Sequence, residues 1–108
     1  MNAFRYPVWL RMAVGGRTIA MRLWVDTDTL YNLLPAALLQ SLGYEADAAR
    51  RFRQEDGSTI ELPVADVPMR IGDETHRVLC VFGDGEAMLL GRLTLAVFGL
   101  EVDEEQGR

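Results

Sequence analysis

Turn signals cut this chain into pieces too short for anything but small strands and short helices. Gly15-Gly16, Gly43, Asp56-Gly57, Gly72-Asp73, Gly83-Asp84-Gly85 and Gly99 punctuate its 108 residues. Between them lie short runs rich in Val, Ile, Leu and aromatic side chains. Short strands at regular turn spacing predict an all-β barrel or sandwich carrying one or two short helices. The length suits one domain spanning residues 1–108, with room for a modest core. No repeat, low-complexity run or linker divides it.

Residues 8–14 and 18–25 predict a hairpin about Gly15-Gly16. In the second strand Ile19, Met21, Leu23 and Val25 share one face, and Ala20, Arg22 and Trp24 the other. Pro35 suits the first turn of a short helix whose apolar side is Ala36, Leu38, Leu39 and Leu42, closed by Gly43. Residues 50–54 and 58–64 flank Glu55-Asp56-Gly57. Asp-Gly is a strong hairpin signal because both central residues tolerate positive φ. Further strands are expected at 67–71, 77–82 and 88–90, a helix at 93–98 and an edge strand at 100–102. A charged, frayed tail follows at 103–108.

Composition narrows the function. A formal charge of −5 opposes non-specific nucleic-acid binding, which needs a basic face. The longest apolar-rich stretch, residues 30–42, is too short to span a membrane and is broken by Asn32, Pro35, Gln40 and Ser41. A signal-peptide pattern is missing, so a cytoplasmic protein is the default expectation. One cysteine, Cys80, excludes an internal disulfide. With a single His and a single Cys, no metal site is expected, and no glycine pattern matches a phosphate-binding fingerprint. His76 reads as an exposed surface histidine, Cys80 as a buried small hydrophobe, and Trp9 and Trp24 as core or interface aromatics.

The chemistry-bearing feature is Leu23-Trp24-Val25-Asp26-Thr27-Asp28, an apolar strand running into an acidic turn, followed by Leu33-Leu34-Pro35. Taken alone, Asp26 is an ordinary turn or helix cap. A second apolar run, Met88-Leu89-Leu90-Gly91-Arg92, lies far downstream. In order and spacing these segments resemble the retropepsin-like (retroviral-type) aspartic protease family over residues 8–103, and most of all its bacterial and archaeal single-domain members. The resemblance implies a small closed β-barrel that works as a homodimer.

On that resemblance, Asp26 is the catalytic carboxylate. Thr27 bonds across the two-fold axis to its symmetry mate. Residues 52–64 form a flap hairpin, with Glu55, Asp56 and Gly57 over the bound peptide. Gly91 lets the second apolar strand pack beneath the active-site loop. The chain departs from the family at Asp28, which stands where the motif has glycine and where substrate backbone passes. Arg92, beside Gly91, is placed for an ion pair with Asp28.

The physical argument also requires two chains. One acid–base pair needs two carboxylates, and this chain has one such motif, so a second copy must supply the other. The implied activity is an aspartic endopeptidase that needs no cofactor and acts on a peptide or protein substrate. The competing reading is an inactive retropepsin-like peptide-binding or assembly module, with hydrolysis lost through Asp28. A third is an unrelated small barrel matching by chance.

Overall fold

The computed structural model describes residues 4–101. Among them the elements run β1 (Arg5–Arg11), β2 (Thr18–Val25), β3 (Asn32–Pro35), α1 (Ala36–Ser41), β4 (Ala48–Arg53), β5 (Thr59–Ile71), β6 (Glu74–Gly83), β7 (Leu89–Leu90) and α2 (Arg92–Val97). The strands form one sheet in the order β1-β2-β7-β3-β6-β5-β4. β5 also returns to β1, pairing Trp9 with Arg70 and Leu10 with Met69. The architecture is thus mostly β with two short helices, as the turn spacing predicts.

The first hairpin forms as expected, from Arg5↔Trp24 to Arg11↔Thr18. Along β2, Leu23 is buried and Ile19, Met21 and Val25 half-buried, while Thr18, Ala20, Arg22 and Trp24 face out. This alternation follows from the two-residue period of a strand with one wet face. The core gathers Val8, Leu10, Leu23, Leu34, Leu39, Val67, Met69, Cys80 and Leu90, each with no exposed surface. α1 adds Leu39 and α2 adds Leu95.

Four expectations need correction. The strands expected at 58–64 and 67–71 are one 13-residue strand, β5. Its first half pairs with β4 and its second with β6, and Val64 faces both Ala48 and Val81. The change of partner changes the burial pattern midway, which reads as a break in sequence. Second, the Asp56-Gly57 turn is not left-handed at both central positions. Only Gly57 has positive φ, at 87°. The Gly57 N–H donates to the Gln54 carbonyl at 3.0 Å, giving a three-residue loop whose last residue is the left-handed one. Third, Pro35 precedes α1 at the N-cap, with φ −58° and ψ 135°, and ends strand β3. The fixed proline φ fits strand and helix start alike. Fourth, residues 100 and 101 carry no strand. Val102 and the tail at 103–108 lie outside the described residues. Among the described residues no helix is long and apolar enough to cross a membrane.

Cys80 is fully buried, as expected. Burial pushes its thiol up to about 12; the Asn32 amide pulls down and Asp66 pushes further up. In the unfolded chain the thiol ionises near its ordinary value of about 8.5. Between that value and about 12 the folded chain holds the extra proton, so stability falls as pH rises through the window. This one group contributes a slope of at most about 1.4 kcal/mol per pH unit. Cys80→Ala is expected to flatten the alkaline arm of a stability-versus-pH curve. An unchanged slope would contradict the assignment.

Candidate active site

The site is built where β2 ends. Val25 is the last residue of the strand, and the Asp26 N–H donates to the Leu90 carbonyl of β7 at 3.1 Å. Asp26 and Thr27 are half-buried and Asp28 is exposed. Donors of its own turn hold both oxygens of the Asp26 carboxylate. The Asp28 N–H donates to Oδ1 at 3.0 Å, and the Thr29 hydroxyl donates to Oδ2 at 2.8 Å. An aspartate bonding the N–H two residues on is the ordinary Asx turn. The bland reading of Asp26 as a turn cap is therefore true of its geometry. The same bonds also fix a carboxylate in one orientation at the rim of the fold. Thr29, which no sequence signal singles out, is the residue that completes this cradle.

No residue other than glycine has positive φ among those described. Asp28 therefore carries no left-handed strain, and its side chain is turned to solvent.

The turn is bolted from behind by β7 and α2. α2 begins at Arg92 after Gly91, which offers no side-chain cap. The first N–H groups of a helix need partners from elsewhere. Here Arg92 N–H donates to the Thr29 carbonyl at 2.8 Å and Leu93 N–H to the Leu30 carbonyl at 3.0 Å. The helix start is capped by carbonyls of the segment that follows Asp26. A Cβ on Gly91 would stand 2.5 Å from the Tyr31 carbonyl carbon and oxygen and 2.7 Å from the Leu30 oxygen. Only glycine fits this approach.

Asn32 locks the same junction. It is fully buried, its Oδ1 accepts from Gly91 N–H at 2.9 Å, and its Nδ2 donates to the Leu79 carbonyl at 3.1 Å. The amide joins β3, β6 and the Gly91 backbone, and a buried amide stays stable only when partnered in this way. From sequence, Asn32 read merely as a polar interruption of an apolar stretch. A polar residue inside the run Leu30 to Leu34 was the available signal.

Arg92 does not pair with Asp28. Its guanidinium donates to the Thr27 carbonyl at 3.5 Å. The described ion pair is His76–Glu74, at 3.6 Å. The guanidinium serves a backbone oxygen of the turn, and Asp28 points away into water.

The β4–β5 hairpin is largely exposed. Phe52 of β4 meets Tyr31 edge-to-face, with centroids 5.4 Å apart. That contact ties the hairpin to the segment following Asp26. Glu55, Asp56 and Gly57 lie exposed at its tip. Asp56 bonds within the tip: Ser58 N–H donates to its Oδ1 at 2.9 Å, and the Ser58 hydroxyl reaches the same oxygen. Those bonds hold its carboxyl below the usual range.

One aromatic-type reading changes and another narrows. His76 is half-buried rather than freely exposed, packing edge-to-face on Phe98 with centroids 4.8 Å apart. Trp24 is 43% exposed, with the Arg5 guanidinium 5.3 Å above its ring, and so is no core residue. Among the described residues no group of three or more His, Cys, Asp or Glu side chains is placed to hold a metal.

No protein-family model matches the sequence, and no curated protein matches it. Solved structures do match. The chain is similar to the simian foamy virus (mac) protease at 9% identity and a TM-score of 0.63, covering 91% of this chain and 98% of that one. It is also similar to the EIAV protease, solved in complex with the inhibitor HBY-793, at 16% identity and a TM-score of 0.65, covering 94% and 93%. The fold is retropepsin-like.

Proposed function

We propose that this chain is a retropepsin-like aspartic endopeptidase acting as a homodimer, one domain per chain. The observation that carries the reading is Asp26, held at the end of β2 with one oxygen on the Asp28 N–H and the other on the Thr29 hydroxyl. The fold likeness supports it. We read the β1–β5 pairing as the closure of a small barrel, and the two-fold mate as the source of the second Asp26.

Two carboxylates sharing a site do not both ionise, so one holds a proton while the other is charged. The charged one takes a proton from water as it attacks the scissile carbonyl. The protonated one donates to the carbonyl oxygen. The tetrahedral diol then collapses: the carboxyl that took the water proton gives it to the amide nitrogen as the C–N bond breaks, and a diol hydroxyl returns its proton to the other carboxylate, with no covalent enzyme intermediate. Thr27 of each chain bonds across the axis and fixes the two turns against each other. The peptide lies extended beneath the two β4–β5 hairpins, pairing with them through its main chain. Glu55, Asp56 and Gly57 close over it. Gly91 and Arg92 support the turn from behind.

Asp28 sets the rate of this site rather than its chemistry. Its carboxylate adds negative charge and bulk where peptide passes. Asp28→Gly is expected to raise kcat/KM by roughly tenfold, the effect of about 1.4 kcal/mol from one nearby charge. The test is cleavage of a diverse peptide library between about pH 3 and 7, chosen to span the titration of paired carboxylates. Wild-type cleavage supports the endopeptidase. Cleavage seen only in Asp28→Gly would make the natural chain a peptide-binding or assembly module instead.

A further inference from the structure

Three arginines that the proposed catalysis does not use gather on the solvent face of β1, β5 and β6. Register brings them together: Trp9 pairs with Arg70 across β1–β5, and Pro68 with Arg77 across β5–β6. Arg11 lies two residues beyond Trp9, on the same face of β1. Two adjoining clefts open between them, sharing Arg11, Gly16 and Pro68. One, of about 370 Å³, also takes in Tyr44 and Arg77. The other, of about 280 Å³, takes in Trp9 and Arg70.

These side chains are placed rather than loose. The Arg70 guanidinium sits 4.4 Å from the centroid of the Trp9 ring, and its Nη1 donates to the Gly72 carbonyl at 2.8 Å. A guanidinium stacked on indole keeps its edge free for further donation. The Arg11 guanidinium lies 3.6 Å from where a Cβ on Gly16 would stand, so it rests in van der Waals range of that turn. The Tyr44 hydroxyl donates to the Arg11 carbonyl at 2.6 Å. Burial pushes the Tyr44 phenol up, while Arg77 and Arg11 pull it down, so both cations act on one point.

Among the described residues no carboxylate lines either cleft. Among the described residues none lies within 4.0 Å of these guanidinium groups, since the described ion pair is His76–Glu74. The nearby acids belong to other positions. Asp66 faces Leu79 two pairs along the sheet from Pro68, on the same face but outside both clefts, Glu74 faces Ile71 at the hairpin end, Asp73 sits in that turn, and Glu45 follows Tyr44. Three converging cations in a chain of net charge −5 are a local reversal of sign. Their mutual repulsion falls when an anion enters.

We propose that this face binds a small tetrahedral oxyanion, phosphate or a phosphate monoester, between Arg11 and Arg77 with Arg70 flanking it. Arginine forks match such oxygens two at a time. The acidic remainder of the chain repels an extended polyanion, which favours a single oxyanion over nucleic acid. The site is independent of the catalytic proposal.

The test is a titration of the ¹⁵N-labelled full chain with inorganic phosphate and, separately, phenyl phosphate. Chloride holds ionic strength constant. Saturable shifts are expected at the Arg11 and Arg77 side-chain N–H resonances and at the Trp9 indole. Arg11→Gln with Arg77→Gln should weaken binding by about tenfold or more, the worth of charge-assisted bonds lost. Arg22→Gln, on β2, should leave it unchanged. Saturation by both probes assigns the site to free phosphate, and saturation by phenyl phosphate alone to a monoester. Shifts that rise linearly, that spread equally over Arg22 and the β4 arginines, or that chloride reproduces would overturn the proposal. The wild-type titration decides the matter even if the double variant fails to fold.

Discussion

Asp26→Asn is expected to lower kcat/KM for peptide cleavage by about 10³-fold or more, within the range that acid–base groups contribute. The substitution is nearly isosteric. Its amide oxygen can still accept from the Asp28 N–H, which bonds Oδ1 at 3.0 Å in the native turn. Its amide N–H₂ meets the Thr29 hydroxyl, which can turn to accept. The turn survives, but the side chain can neither take a proton from water nor give one to the carbonyl. Melting temperature should therefore stay within a few degrees of wild type, as for a substitution outside the destabilising mechanisms. Kinetics and thermal melting, run on the same samples, separate the two effects. A loss of activity matched by a collapse in melting would make Asp26 a structural cap only.

Gly91→Ala is expected to act in the opposite way, through the fold. The new methyl would meet backbone atoms, the Tyr31 carbonyl at 2.5 Å and the Leu30 oxygen at 2.7 Å. Neither can withdraw freely. Leu30 oxygen accepts from Leu93 N–H at 3.0 Å, and Gly91 N–H is itself held by Asn32 at 2.9 Å. Relief of the clash must break the helix cap, the Asn32 bridge, or both. Overpacking and lost buried hydrogen bonds together place the cost at about 3 kcal/mol or more. For a domain of this size that is a fall of roughly 10–20 °C in Tm. Gly85→Ala is the internal control. A Cβ there meets nothing within 4 Å and Gly85 has no positive φ, so its melting should hardly change. Equal melting of the two variants would refute the account of this junction.

The β1–β2 and β4–β5 hairpins and the helices were legible because their signals are local. Gly15-Gly16 and Asp56-Gly57 mark turns in place, and Leu39 and Leu95 fall on helical faces. β3 was not legible. Four residues give no period, and its main partner β6 is parallel and distant, Asn32↔Cys80 to Pro35↔Gly83. The length of β5 was hidden because one strand serves two partners. At the site, Asp26 and Gly91 stood out through the ordered motifs. Asn32 and Thr29 did not, since their worth lies in bonds to Gly91, Leu79 and Asp26 that only the folded chain brings together. The Asp28–Arg92 pair failed for a similar reason. Proximity in the motif says nothing of direction, and Arg92 turns to the Thr27 carbonyl.

The central claim is a catalytic pair shared between two chains, and subunit mixing tests it most directly. Wild-type and Asp26→Asn chains would be unfolded, combined in equal amounts and refolded together, and cleavage measured per total chain. A shared pair leaves activity only in dimers with two wild-type subunits. The mixture should then show about a quarter of the activity of wild type alone, by random pairing about a two-fold axis. A value of about one half would mean that each chain works by itself, and would contradict the shared site.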